Sequence, residues 1–268
     1  GGVYVENGRA MLSGGQIIGN SAGHGGGVYV DHISATVTLT NVSTVARNFA
    51  NYGGGIYIKD NPAVIQGSVI SANHATTSGG GLFLSSSDAT LINNIVADNQ
   101  ANSTGSGLYI AGSPPRLLHT TIARNSGGDG SGVYITGTTS TVALTNTILV
   151  SHTVGITCAA SNTVTLNGVL WYSNTVNTGG TGAITITNEY TGDPAFAADG
   201  YHLTASSEAI DRGVDAGVDD DIDGDPRPAG TGYDIGADEY YHPALDVTKQ
   251  ADPDPVLSGT PLTYTIRV

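Results

Sequence analysis

Three groups of residues in this 268-residue chain have types and spacings that could do chemistry. Glu6, then Asp31 with His32, then Lys59 with Asp60, each stand just past a recurring aliphatic-Tyr-aliphatic triplet. Carboxylates placed side by side raise one another's pKa or hold a cation, and a lysine among them is a candidate base. Solvated charges at strand exits would read the same way. The second group is Asp219-x-Asp221-x-Asp223-Gly224-Asp225. Alternating carboxylates with Gly at the sixth place suit a loop around Ca²⁺, a hard ion that takes many oxygens. The twelfth place is Gly230, so the EF-hand pattern is incomplete. The competing reading is an acidic turn latched by Arg227 to Asp223 or Asp234. The third group is a column of rings: Tyr4, Tyr29, Tyr57, Phe83, Tyr109 and Tyr134. The seven histidines fall on unrelated positions, so no histidine metal triad is expected, and the single Cys158 excludes an internal disulfide.

The elements that must position these groups come from a repeat. Gly followed by aliphatic, aromatic, aliphatic recurs at Gly2, Gly27, Gly55, Gly81, Gly107 and Gly132, at spacings of 25, 28, 26, 26 and 25. Weaker copies follow at Gly155 and Gly182. In phase with it runs an aliphatic followed three places later by Asn: Ile17 and Asn20, Val45 and Asn48, Ile70 and Asn73, Val96 and Asn99, Ile122 and Asn125. Leu149 with His152 and Trp171 with Asn174 continue it imperfectly. Short alternating runs such as Thr141-Val142-Ala143-Leu144-Thr145, bounded by Gly, Asn and Ser, are strand signatures. Two or three such strands per unit make one coil of a parallel β-helix, with equivalent residues stacked about 4.8 Å apart. The fold expected is therefore all-β: a right-handed parallel β-helix of about seven coils over residues 1–187.

That stacking assigns roles. The aliphatic track faces inward and fills one continuous core. Each Asn stacks amide on amide at a coil corner. In Val-Tyr-Val the aliphatics share the inner face and the ring takes the outer one. A ladder of rings outside is either a stabilising stack or a platform for a glycan or cell-surface partner. Asp98 and Arg124 precede the corner Asn of successive coils and are expected to pair outside.

Charge divides the rest of the chain. Residues 1–187 hold six acids and five bases, residues 188–243 fourteen acids and two bases, and residues 244–268 three acids and two bases. With a net charge of −14 and only two lysines, nucleic acid is not an expected partner, because phosphate binding needs clustered Lys and Arg. No apolar run approaches the ~18 residues of a membrane helix. The acidic 188–243 segment is expected to cap the last coil, since exposed strand edges recruit other chains. From 244 on, Leu245–Lys249 and Leu262–Ile266 read as two strands around the Pro-rich turn Pro253-Asp254-Pro255.

The repeat resembles those of right-handed β-helix surface proteins, including the polymorphic outer-membrane type. The segment with Asp223-Gly224-Asp225-Pro226-Arg227-Pro228 and Asp234-Ile235-Gly236-Ala237-Asp238-Glu239 resembles the closing region of choice-of-anchor bacterial proteins. The tail resembles the first strands of bacterial surface Ig-like repeats, truncated here. The resemblance implies an extracellular or cell-surface bacterial protein, and the chain is read as a structural or adhesive stalk, expected to be monomeric and to require no cofactor. The other activity it implies is a carbohydrate-active enzyme of pectate-lyase type, whose sites place acids and a basic residue on adjacent coils. Glu6, Asp31, Lys59 and Asp60 are the residues that would then be catalytic. The chain is expected to be a fragment of a longer one.

Overall fold

Alternating β-branched and glycine-bounded segments give strands throughout, and among the described residues there is no helix. The computed structural model describes residues 1–32, 35–41, 44–241, 248–252 and 263–267. The repeat forms a parallel β-solenoid with three faces. One, here the tyrosine sheet, stacks Val3–Val5, Val28–Val30, Ile56–Lys59, Leu82–Ser85, Leu108–Ala111, Ser131–Thr136, Val154–Cys158 and Val176–Gly180 in sequence order. The long sheet stacks eight strands from Gly8–Ser13 to Ala183–Thr191. In the early coils its second half is separate, as Gln16–Ile18, Thr44–Ala46 and Val69–Ser71; from Thr90–Ala97 onward the halves merge. A short third sheet joins Phe49–Tyr52, His74–Ser78 and Gln100–Ala101. The solenoid thus ends at Thr191, four residues past the expected boundary at 187.

The core is the expected one. Val28, Val30, Ile56, Ile58, Leu82, Leu84, Leu108 and Ile110 are fully buried in it, and the aliphatic track Val45, Ile70, Val96, Ile122 and Leu149 meets them from the opposite wall. Each such side chain contributes about 1.5–3 kcal/mol by leaving water. Corner chemistry is equally regular. Asn20, Asn48, Asn73 and Asn99 each donate from Nδ2 to Oδ1 of the next Asn at 3.0 Å, ending on Asn125. The same Nδ2 reaches back to the carbonyl of the track residue one coil earlier, as Asn73 does to Val45 at 2.8 Å. His152 takes the next place in the ladder: Asn125 Nδ2 meets its Nε2 at 3.3 Å, and its N–H donates to Asn174 Oδ1. Glycine serves two needs beside this ladder. Gly79 turns the chain at φ +70, whereas at Gly81 a Cβ would lie 2.7 Å from the Gly107 carbonyl oxygen.

The acidic segment covers the solenoid from the side, where an end cap was expected. Leu203, Ala209, Ile235 and Ala237 pack on Ile95, Ala97, Ala123, Ile148, Val150 and Leu170, the outward residues of the long sheet's second half. Backbone and side-chain bonds sew the two together: Gly236 N to Asn146 O at 3.0 Å, Ala237 N to Thr121 Oγ1 at 3.1 Å, and Asn93 Nδ2 to Asp220 O at 2.6 Å. The physical reason is that these strands are apolar on both faces, as in Ile148-Leu149-Val150, and a strand apolar on both faces must be covered on both. Beyond it, Thr248–Asp252 and Thr263–Arg267 form an antiparallel pair; the first of these strands runs three residues past the Leu245–Lys249 stretch expected from the sequence. Leu245–Val247, the Pro-rich turn and Leu262 lie outside the described residues.

Candidate functional site

The tyrosine sheet places its rings in register. Tyr4 pairs with Tyr29, Tyr29 with Tyr57, Tyr57 with Phe83, Phe83 with Tyr109 and Tyr109 with Tyr134. Successive ring centroids are 5.2, 5.2, 4.7, 4.5 and 5.6 Å apart, all stacked but the Tyr29–Tyr57 pair, which meets edge to face. The flanking aliphatics face the core, so the rings point outward, as alternation requires. Outward is not the same as exposed. Tyr4 is 56% exposed, but Tyr57 and Phe83 retain only 8% and 9%. A second ring column covers them: His24 lies 5.2 Å from Tyr57, and Tyr52 lies 5.6 Å from Phe83. Sequence reading missed His24 and Tyr52. Both stand immediately before a triple glycine, Gly25–Gly27 and Gly53–Gly55, and that shared place was the signal available.

At the ends of these strands three of the expected polar residues come together. Tyr29 Oη donates to Asp31 Oδ2 at 2.8 Å, while Lys59 Nζ lies 3.2 Å from Asp31 Oδ1 and 3.9 Å from Asp60. The Tyr29 hydrogen bond, with Lys59 behind it, holds the Asp31 carboxyl below its usual range. Asp31 in turn raises Lys59, so the amine is held protonated and is a poor base. Glu6 stands exposed one coil away. Asp31, His32, Lys59, Asp60 and Ser86 line a surface depression, and a second one lined by Asp60, Ser86 and Asp88 continues it toward Pro114. Together the rings and the depressions form a strip along the solenoid axis, apolar on one side and polar on the other. Asp98 and Arg124 pair outside it as expected, at 2.9 Å through both carboxylate oxygens.

The acidic turn is arranged otherwise. Asp221 is buried, and both its oxygens accept backbone N–H groups: Oδ1 from Asp223 and Asp225 at 2.8 and 2.9 Å, Oδ2 from Glu239 at 2.9 Å. Asp219, Asp223 and Asp225 are exposed around it. Arg227 is a latch, but to neither expected partner. Its Nη1 lies 2.7 Å from Glu239 Oε2, and its Nη2 donates to the Gly236 and Ala237 carbonyls. Asp234 instead accepts the N–H groups of Asp211 and Tyr240, one on each oxygen, and Asp223 turns outward to His202. His202 bridges Asp199, through Nδ1, and Asp223, through Nε2 at 2.5 Å. Burial alone would lower its pKa; the hydrogen bonds to the two carboxylates prevail and raise it to about 9.

A Gly-x-Ser-x-Gly spelling occurs at Gly19-Asn20-Ser21-Ala22-Gly23. Asn20 there belongs to the amide ladder and Ser21 bridges Phe49 in the short sheet, so it is coil corner and not a nucleophile turn.

Compared with known proteins, residues 1–171 match the family model described as a right handed beta helix region. No curated protein and no solved structure matches the chain. β-Helix domains of this kind occur in surface proteins and in carbohydrate-active enzymes such as pectate lyases.

Proposed function

This chain belongs to the right-handed β-helix family, and from that premise we propose that it is an extracellular structural or adhesive stalk of a bacterial surface protein. It binds glycans along the tyrosine strip. The observation that carries this reading is the unbroken six-ring column outside the core, bordered by the polar groups of Asp31, Lys59 and Asp60. Ring faces receive the C–H faces of sugars, and hydroxyls find donors and acceptors beside them. The exposed Tyr4 and the half-buried Tyr29, Tyr109 and Tyr134 offer the contact surface, while Tyr57 and Phe83 hold the stack together. The charged tail and flank are compatible with attachment through the region that resembles choice-of-anchor proteins, with the paired strands after it starting an Ig-like module.

Replacing Tyr4 and Tyr134 together by Ser tests the reading, because each end ring has only one ladder neighbour and its loss disturbs the stack least. Binding to neutral and acidic polysaccharides is expected to weaken at least tenfold, with little change in melting temperature. Equal binding by the variant, or none by the parent chain, overturns the glycan platform. Shortening of the polysaccharide during the assay would instead favour the pectate-lyase-type enzyme, for which Asp31, Lys59 and Asp60 on neighbouring coils are the relevant observation.

A further inference from the structure

The three segments of the acidic flank meet at one side-chain group that the solenoid does not use. His202 comes from the first segment, Asp223 from the acidic turn and Asp238 from the returning stretch. One ligand atom of each, an imidazole nitrogen or a carboxylate oxygen, lies within 4.8 Å of the other two. We infer that His202, Asp223 and Asp238 bind a divalent first-row transition ion of the zinc or manganese class.

Four features carry the inference beyond a count of acids. First, the ligand set contains a nitrogen, and its three atoms lie close enough that shifts of about 1 Å bring them round an ion at the 2.0–2.2 Å bonds typical of such metals. Second, the imidazole is aimed. Asp199 accepts the Nδ1 hydrogen, which leaves Nε2 facing Asp223, and a carboxylate behind a ligating histidine is the usual orienting partner. Third, Asp238 is only 7% exposed, and its Oδ2 is fixed by the Leu203 N–H at 2.6 Å. Among the described residues no lysine or arginine pairs with it, since Arg227 is engaged by Glu239. The cation beside this buried carboxylate is the His202 imidazolium, and a metal ion would take over its charge. Fourth, the depression over the group is lined by His202, Leu203, Asp223, Asp225, Asp238 and Glu239 with Tyr240 and Tyr241, and contains no basic residue besides His202.

Binding requires a modest rearrangement. Nε2 and Asp223 Oδ2, now 2.5 Å apart, must separate by about 1 Å to become neighbouring ligands of a tetrahedral ion. Asp223 can yield: its side chain is 51% exposed and it adjoins Gly224, which has open space around it. The proton shared by Nε2 and Asp223 leaves to solvent as the metal enters. Calcium suits this set poorly, because it prefers six to eight oxygens over an imidazole. Only Asp223 is common to this group and to the calcium pattern of Asp219, Asp221, Asp223 and Asp225.

The experiment uses the whole chain, stripped with chelator and then titrated with Zn²⁺, Mn²⁺ or Ca²⁺ alone, followed by calorimetry and thermal unfolding. Zn²⁺ or Mn²⁺ is expected to bind one site and raise the melting temperature by mass action. Asp223→Asn is expected to weaken that binding at least tenfold, and His202→Asn to abolish it. Asp199→Asn should weaken it about tenfold through loss of orientation, and Asp220→Asn, in the same turn but outside the group, should leave it unchanged. Asp223 is exposed, so its variant keeps the test valid even if His202→Asn fails to fold. No shift with either transition ion overturns the inference. So does Zn²⁺ binding that survives Asp223→Asn undiminished, which would place the ion on other histidines. Stabilisation by Ca²⁺ alone would also overturn it and assign the cation to the acidic turn.

Discussion

The solenoid and its acidic flank solve the same problem by opposite means. Every coil must find partners for its backbone N–H and C=O groups, and the solenoid finds them by stacking identical strands and by one Asn per corner. The flank has no ladder to join. Its carboxylates accept the orphan N–H groups one by one: Asp199 those of Tyr201 and His202, Asp221 those of Asp223, Asp225 and Glu239, Asp234 those of Asp211 and Tyr240, and Glu239 those of Ala229 and Asp234. Buried N–H groups have to be paired, and a carboxylate can accept several such bonds. The flank's acidity is therefore largely its scaffold. A surplus of acid along a loop is a way of folding without regular secondary structure, and it concentrates charge that a single buried arginine must balance.

The largest test of this contrast falls on that arginine. Arg227→Met leaves Glu239 charged and buried without its partner, which is expected to cost about 3–5 kcal/mol. Hydrogen exchange should accelerate across residues 199–241 while the strands from Thr90 to Tyr172 stay protected. If both regions lose protection together, they form one cooperative unit and the contrast between them fails.

A somewhat smaller effect is expected inside the solenoid, where one histidine stands in the asparagine column. Burial, with Arg124 nearby, lowers the His152 pKa to about 4. The folded chain thus holds it neutral while the unfolded chain protonates near 6.5. Its contribution is complete above pH ~6.5 and is lost as the pH falls from there toward 4, on the order of 3 kcal/mol in all. His152→Asn, which restores the ladder residue, should remove that part of the acid sensitivity and leave neutral stability nearly unchanged. Denaturant unfolding at pH 7 and pH 4.5 checks it; an identical pH dependence in the variant would show that His152 is not buried neutral. His119, lowered to about 3 mainly by burial, contributes in the same direction in both proteins.

The smallest effect is at the seam between the regions. The Asp98–Arg124 pair is 50% and 36% exposed on its two sides and should contribute about 0–1 kcal/mol. Arg124 also donates to the Gly200 carbonyl at 3.0 Å, tying solenoid to flank. Asp98→Ala removes the pair alone, whereas Arg124→Ala removes pair and tie. A difference of about 1 kcal/mol between them in chemical denaturation measures the tie; equal values would mean that the seam is held by apolar contact only.

How much of this was legible depended on repetition. The core track, the amide ladder, the outward rings and the Asp98–Arg124 pair all followed from residues recurring at one place in each coil, because stacking turns a period into a column. The departures came where the period lapses. His24 and Tyr52 occupy a place that is aromatic in only two coils, so no column announced the cover they form over Tyr57 and Phe83. Arg227 was recognisable as a latch, but its partner Glu239 was not, since Asp223 and Asp234 were the acids read as its partners. Only the folded loop shows that Asp234 is engaged by backbone and Asp223 by His202.

The amino-acid sequence by itself determined the solenoid, since alternation sets each strand's inner face and a period near 26 residues sets the coil. It also carried, unread at first, the need for lateral cover in runs such as Ile148-Leu149-Val150 and Val169-Leu170-Trp171. Tertiary structure alone decided where the acidic segment would lie and which carboxylates would meet. His202, Asp223 and Asp238 are separated by 21 and 15 residues of irregular chain. In such chain, without a period, distance along the sequence says nothing about distance in space; only packing against the flank of the solenoid brings the three together.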